Sequence, residues 1–68
     1  MILDLHGVVH ADVADRVKNY VLVNQQDVPL TIITGNSDKM IRLVENALKD
    51  TGVESFETYL ACVVVRKV

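Results

Sequence analysis

Leu30-Thr31-Ile32-Ile33-Thr34-Gly35-Asn36-Ser37-Asp38 is the stretch whose reading decides the fold. Leu30, Ile32 and Ile33 make a run that is mostly apolar, as expected of a buried parallel strand. Pro29 opens that strand, where a missing N–H is tolerated, and it runs to about Thr34. Gly35 and Asn36 break it. Asn36 or Ser37 can then cap a helix, with Asp38 in the first turn, where a negative charge meets the positive end of the helix dipole. A buried strand feeding a capped helix through a short loop is half of a β-α-β unit.

The flanks supply the rest. Met40, Ile41, Val44, Ala47 and Leu48 lie on one stripe of the helix after Ser37, and Thr51-Gly52 stops it. Upstream, Ile2 to His6 reads as a short buried strand ended by Gly7. From about Val9 to Gln25 the apolar period becomes helical, with Val13, Val17, Tyr20 and Val21 on one face. Neither Val9 nor His10 is a strong N-cap. Downstream, Ala61 to Val65 is a strong strand, and Ser55 to Tyr59 is a candidate shorter one. The order is β-α-β-α-β(β). It predicts a two-layer α/β sandwich, residues 1–68 forming one domain, with two helices on one face of a mixed sheet. A right-handed crossover makes the first two strands parallel. Asp4-Leu5-His6-Gly7 and Thr34-Gly35-Asn36-Ser37 then open toward one edge, where α/β sheets usually bind ligands.

Bulk composition narrows the function classes. The chain has 68 residues, half of them hydrophobic, with three aromatics, Tyr20, Phe56 and Tyr59. The core is therefore aliphatic and rich in valine. The single cysteine, Cys62, can form no internal disulfide, and a reducing, cytoplasmic setting is the simplest expectation. It is expected in the core among valines. No apolar run approaches the ~18 residues of a membrane span, and no leader is visible. The net charge of −2 argues against gripping nucleic acid by bulk charge.

Two motifs carry a family resemblance. Leu3-Asp4-Leu5-His6-Gly7 is identical to the L-D-L-H-G signature of Smr (small MutS-related) domains and sits at the end of the first strand, as in that family. Ile33-Thr34-Gly35 resembles the start of the second signature, T-G-x-G, although Ser37 stands in place of its last glycine. Arg42-Leu43-Val44 and Val63-Val64-Val65-Arg66 are similar to the family's second helix and last strand. The resemblance implies a sandwich related to the C-terminal domain of bacterial translation initiation factor three. It also implies a domain that binds RNA or DNA, several members being endonucleases and some acting on mRNA at stalled ribosomes.

The candidate site follows. Asp4 and His6 are two apart and share a face if both lie in a strand. The carboxylate would orient the imidazole, and His6 would move protons near neutral pH in phosphodiester cleavage. They could also hold one divalent metal such as Mg²⁺ or Mn²⁺, though two ligands are too few for a protein-only site. The structural alternative is that Asp4 caps a neighbouring backbone and His6 is simply hydrogen-bonded. Gly7, Thr34, Gly35, Asn36 and Ser37 would seat a phosphate at the start of the second helix, with Lys39 and Arg42 adding charge; an ordinary capped turn is the alternative there. RNA is the preferred substrate over DNA, because its 2′-OH is a ready nucleophile. The rival is a non-catalytic module that docks on RNA, DNA or the ribosome. Finally, both faces of the last strand are apolar, which predicts a weak homodimer through the open sheet face or the edge of that strand.

Overall fold

A computed structural model describes all 68 residues. The chain runs β1 (Ile2–Asp4), α1 (His10–Val23), a 3-10 turn (Gln25–Asp27), β2 (Leu30–Ile33), α2 (Asp38–Thr51), β3 (Ser55–Tyr59) and β4 (Cys62–Lys67). The four strands form one mixed sheet in the order β1-β2-β4-β3. β1 pairs parallel to β2, while β4 pairs antiparallel to both β2 and β3. The two helices pack on each other and cover one face of the sheet, giving the two-layer α/β arrangement that the alternation of periods implies.

The helical stripes explain the core. Val13, Val17, Tyr20 and Val21 of α1 are buried, as are Met40, Val44, Ala47 and Leu48 of α2. Ile41 falls at the margin of its stripe and is only half-buried. Beneath them lie Leu5, Leu30, Ile32, Val63 and Val65, each at most 1% exposed. A fully buried aliphatic side chain contributes about 1.5–3 kcal/mol, so a core this small depends on nearly every member. Burial raises the Tyr20 phenol above its ordinary pKa, and its hydroxyl donates to the Thr31 carbonyl.

Cap chemistry sets the helix ends unequally. Val9 gives α1 no side-chain cap, whereas the Ser37 hydroxyl accepts from the Met40 N–H at 3.2 Å and starts α2. Gly52 closes α2, its N–H donating to the carbonyls of Leu48 and Lys49.

Several expectations change. β1 ends at Asp4, not His6, because the Asp4 carboxylate turns the chain there. The short third strand expected over Ser55–Tyr59 does form, joined to β4 by the Leu60-Ala61 turn. Ala61 holds φ at 65°, a conformation for which the second central position of such a turn ordinarily uses glycine. The last strand is interior, between β2 and β3, so it has no free edge through which to associate. Cys62 is not in the core. Strand alternation puts it on the open face, half-buried, because its neighbour Val63 takes the position under the helices.

Candidate functional site

The L-D-L-H-G segment folds as a capped turn. The Leu5 N–H donates to the Ile33 carbonyl at 3.1 Å, which extends the β1–β2 ladder one residue beyond the strand. The Val8 N–H then donates to the Leu5 carbonyl at 3.0 Å, closing a four-residue turn over His6 and Gly7. Gly7 takes φ of 78° at the second central position, where a side chain would be strained. The Asp4 carboxylate supports this turn. Its Oδ1 accepts from the backbone N–H of His6 at 2.9 Å, an arrangement in which an aspartate side chain imitates a backbone turn.

Each member of the motif thus has a local task, with one exception. Leu3 and Leu5 pack toward the helices, Asp4 braces the turn, and Gly7 supplies the left-handed φ. The His6 imidazole is exposed and makes no hydrogen bond or ion pair within the chain. The Asp4 carboxylate holds the His6 backbone rather than its ring. The expected orienting role of Asp4 on the imidazole is therefore absent from this geometry.

The second loop lies beside the first, since Asp4 is the cross-strand partner of Ile33 and neighbouring strands are about 5 Å apart. Its groups divide into engaged and free. Thr34, expected to offer a hydroxyl, is buried at 8% exposure, and its Oγ1 donates to the Gly35 carbonyl at 2.9 Å. The N–H groups of Thr34 and Gly35 both donate to the Ala61 carbonyl, at 2.9 and 3.1 Å. Neither residue has a donor left for a phosphate, because the β3–β4 turn has taken them. Gly35 takes φ of 68°.

At Ser37 the backbone is extended, with φ −78° and ψ 114°. Any residue adopts that conformation, so serine in place of the motif's last glycine leaves the loop path intact. Its Oγ is committed to capping α2. The free groups are the Asn36 side chain and the N–H groups of Asn36, Ser37, Asp38 and Lys39, the last two being the first of the helix. Lys39 and Arg42 are exposed and outside every ion pair. Asp38 in the same turn already supplies negative charge to this helix end, which opposes an incoming anion. His10, at the start of α1, is exposed.

No three His, Cys, Asp or Glu side chains converge on a position for a metal ion. The surface pocket lies elsewhere, lined by Leu22, Val23, Gln25, Gln26 and Asp27 where α1 leads into β2. That is the sheet edge opposite the motif loops.

One constellation was not visible from the sequence. On the open face the Tyr59 hydroxyl donates to Glu57 Oε2 at 2.9 Å and accepts from Arg66 Nη2 at 3.0 Å, and Arg66 Nε donates to Glu57 Oε1 at 3.0 Å. The hydrogen bond from Tyr59 and then those from Arg66 hold the Glu57 carboxyl below its ordinary pKa. The same partners, Tyr59 first, raise Arg66. Glu57 and Tyr59 are two apart, so a shared face was readable; that Arg66 joins them depends on the β3–β4 register.

No helix is long and apolar enough to cross a membrane. No protein-family model matches the chain. Comparisons with curated proteins and with solved structures likewise find no match, so the Smr resemblance is carried by the quoted residues of the chain itself.

Proposed function

We propose that the chain is an Smr-like domain acting on nucleic acid, RNA in preference to DNA, at the edge formed by Asp4–Gly7 and Asn36–Lys39, in the cytoplasm. One observation carries this reading: within the L-D-L-H-G turn, the His6 imidazole is the side chain that the fold does not use, and His6 directly follows Leu5, which pairs with Ile33 at the start of the loop into α2. In the catalytic form of the reading, His6 takes the proton of the attacking 2′-OH as it closes on phosphorus; the P–O5′ bond breaks, leaving a 2′,3′-cyclic phosphate and a 5′-oxygen that takes a proton from water. The Lys39 ammonium and the free N–H groups of Asp38 and Lys39 face the charge that develops on the phosphate. Asp4 is a positioning residue that braces the turn beneath His6.

A second reading, binding without cleavage, is favoured by the Asp4 contact itself. A carboxylate spent on the backbone leaves the imidazole without an orienting partner. Labelled RNA and DNA, incubated with the protein with and without Mg²⁺ or Mn²⁺ and assayed for both cutting and retention, separate the two. Cutting abolished by His6→Ala with retention preserved supports the catalytic form. Retention without cutting supports the binding module. Absence of any salt-dependent retention removes both.

A further inference from the structure

The cross-strand register lines up one row of residues over the whole width of the sheet. Asp4 pairs with Ile33, Ile33 with Cys62, and Cys62 with Tyr59. Paired residues share a face, so all four point to the side away from the helices. The row spans three strand spacings, roughly 14 Å, and it lies at the edge that carries the motif loops. Ile33 and Cys62 form its half-buried floor, with Val64 in the next row. Asp4 stands at one end and the Tyr59 ring at the other.

Tyr59 is 43% exposed, yet its hydroxyl is held at both lone pair and proton by Arg66 and Glu57. An exposed aromatic whose orientation is set by an ion pair has already lost the freedom that binding would otherwise remove. Arg66 uses two donors on these contacts out of the five a guanidinium carries. The rest remain available to a phosphate. The backbone that follows Tyr59 is tied to the motif edge, since the Ala61 carbonyl accepts the N–H groups of Thr34 and Gly35.

We propose that single-stranded nucleic acid crosses this row, with one base stacked on Tyr59, an adjacent phosphate on Arg66, and the backbone continuing toward His6. The inference rests on the nucleic-acid reading above and names the form of the ligand. Charge selects the single strand. A duplex hides its base faces and is held through its phosphates, which a chain of net charge −2 is poorly equipped to do. A single strand can be held by stacking, which needs an aromatic face and an apolar floor rather than a basic surface. A second copy of the chain fits less well, because closing the face would strip water from Asp4, Glu57 and Arg66.

The test uses fluorescently labelled eight-nucleotide single-stranded RNA and DNA, and a hairpin duplex, titrated with wild type, Tyr59→Phe and Tyr59→Leu. Thermal unfolding confirms that each variant folds. Wild type is expected to prefer the single strands. Tyr59→Leu weakens them about 5- to 100-fold, the range typical of one lost stacking contact. Tyr59→Phe keeps the ring but frees it from Arg66 and Glu57, so it weakens binding about 2- to 10-fold, less than Tyr59→Leu does. An oligonucleotide with an abasic position loses affinity for wild type and loses no more for Tyr59→Leu. Single-strand affinity unchanged by Tyr59→Leu overturns the stacking inference and leaves the proposed function standing. No binding of any probe by wild type overturns both. A dimer that oligonucleotide does not dissociate, and that Val64→Lys on the open face breaks, assigns the face to a second copy and overturns the inference.

Discussion

Glu57, Tyr59 and Arg66 are all exposed, so their mutual contacts serve to orient side chains more than to hold the fold. The linkage sign is definite. The Glu57 carboxyl has its pKa lowered in the folded chain. Its contribution is therefore fully present above the unfolded value of about 4.3 and is lost as pH falls through the lower folded value. Side-chain NMR is expected to give a Glu57 midpoint below the ordinary glutamate range. Tyr59→Phe removes the largest single cause, and Arg66→Gln removes both a hydrogen bond and a charge, so each should raise that midpoint toward the ordinary value. An ordinary midpoint in wild type would mean that the trio does not hold together in solution. At the first loop, by contrast, Asp4 is spent on a backbone N–H, so His6 remains the residue whose chemistry is open.

The elements differ in how their ends are made. α1 starts on Val9 with no side-chain cap, and α2 starts on a hydroxyl that takes the Met40 N–H. Ser37→Ala should therefore cost about 1 kcal/mol in urea unfolding, while Ser37→Gly should cost only a few tenths. The glycine variant also restores the last residue of the T-G-x-G motif. Because the backbone at this position is already extended, retention of oligonucleotide by Ser37→Gly should match wild type within about twofold, a difference of under 0.5 kcal/mol. A large gain in binding would show that the serine side chain had been obstructing a phosphate. The β3–β4 turn matters in another way. It accepts the N–H groups of Thr34 and Gly35 and so moves the available donors one turn onward, to the start of α2.

For the whole molecule, the helices cover one sheet face and leave the other with an apolar floor of Ile33, Cys62 and Val64, all half-buried, flanked by exposed Ile2 on β1. Stable dimers bury about 800 Å² on each partner, and on this face the apolar side chains are interrupted by Asp4, Thr31, Glu57 and Arg66. Self-association through this face is accordingly expected to be weak. Sedimentation equilibrium should show a monomer at about 10 μM, with partial dimer at about 100 μM that single-stranded oligonucleotide reverses. A tight dimer at the lower concentration would require another surface. The exposed β1 and β3 edges remain, whereas β4, the strand with the strongest apolar signal, is internal and unavailable for edge pairing.

Period and punctuation were enough to read the elements. Val13, Val17, Tyr20 and Val21 repeat at helical spacing, the capped start at Ser37 and the stop at Gly52 bound the second helix, and each is a local property of the chain. The adjacency of the two motif loops was also legible, because a strand–helix–strand order leaves parallel strands opening on one edge. What the chain alone did not determine was how each polar group is spent. Whether Asp4 reaches the ring or the backbone of His6, and whether Gly35 offers its N–H to a ligand or to Ala61, depends on which donors and acceptors the folded chain brings within about 3 Å. The Asp4–Ile33–Cys62–Tyr59 row, and the place of Cys62 on the open face, depend on strand register. A shift of one residue would have turned every side chain of β4 to the other side. Register is set by the buried fit of Val63 and Val65 beneath the helices, and that fit exists only once all four strands and both helices are assembled.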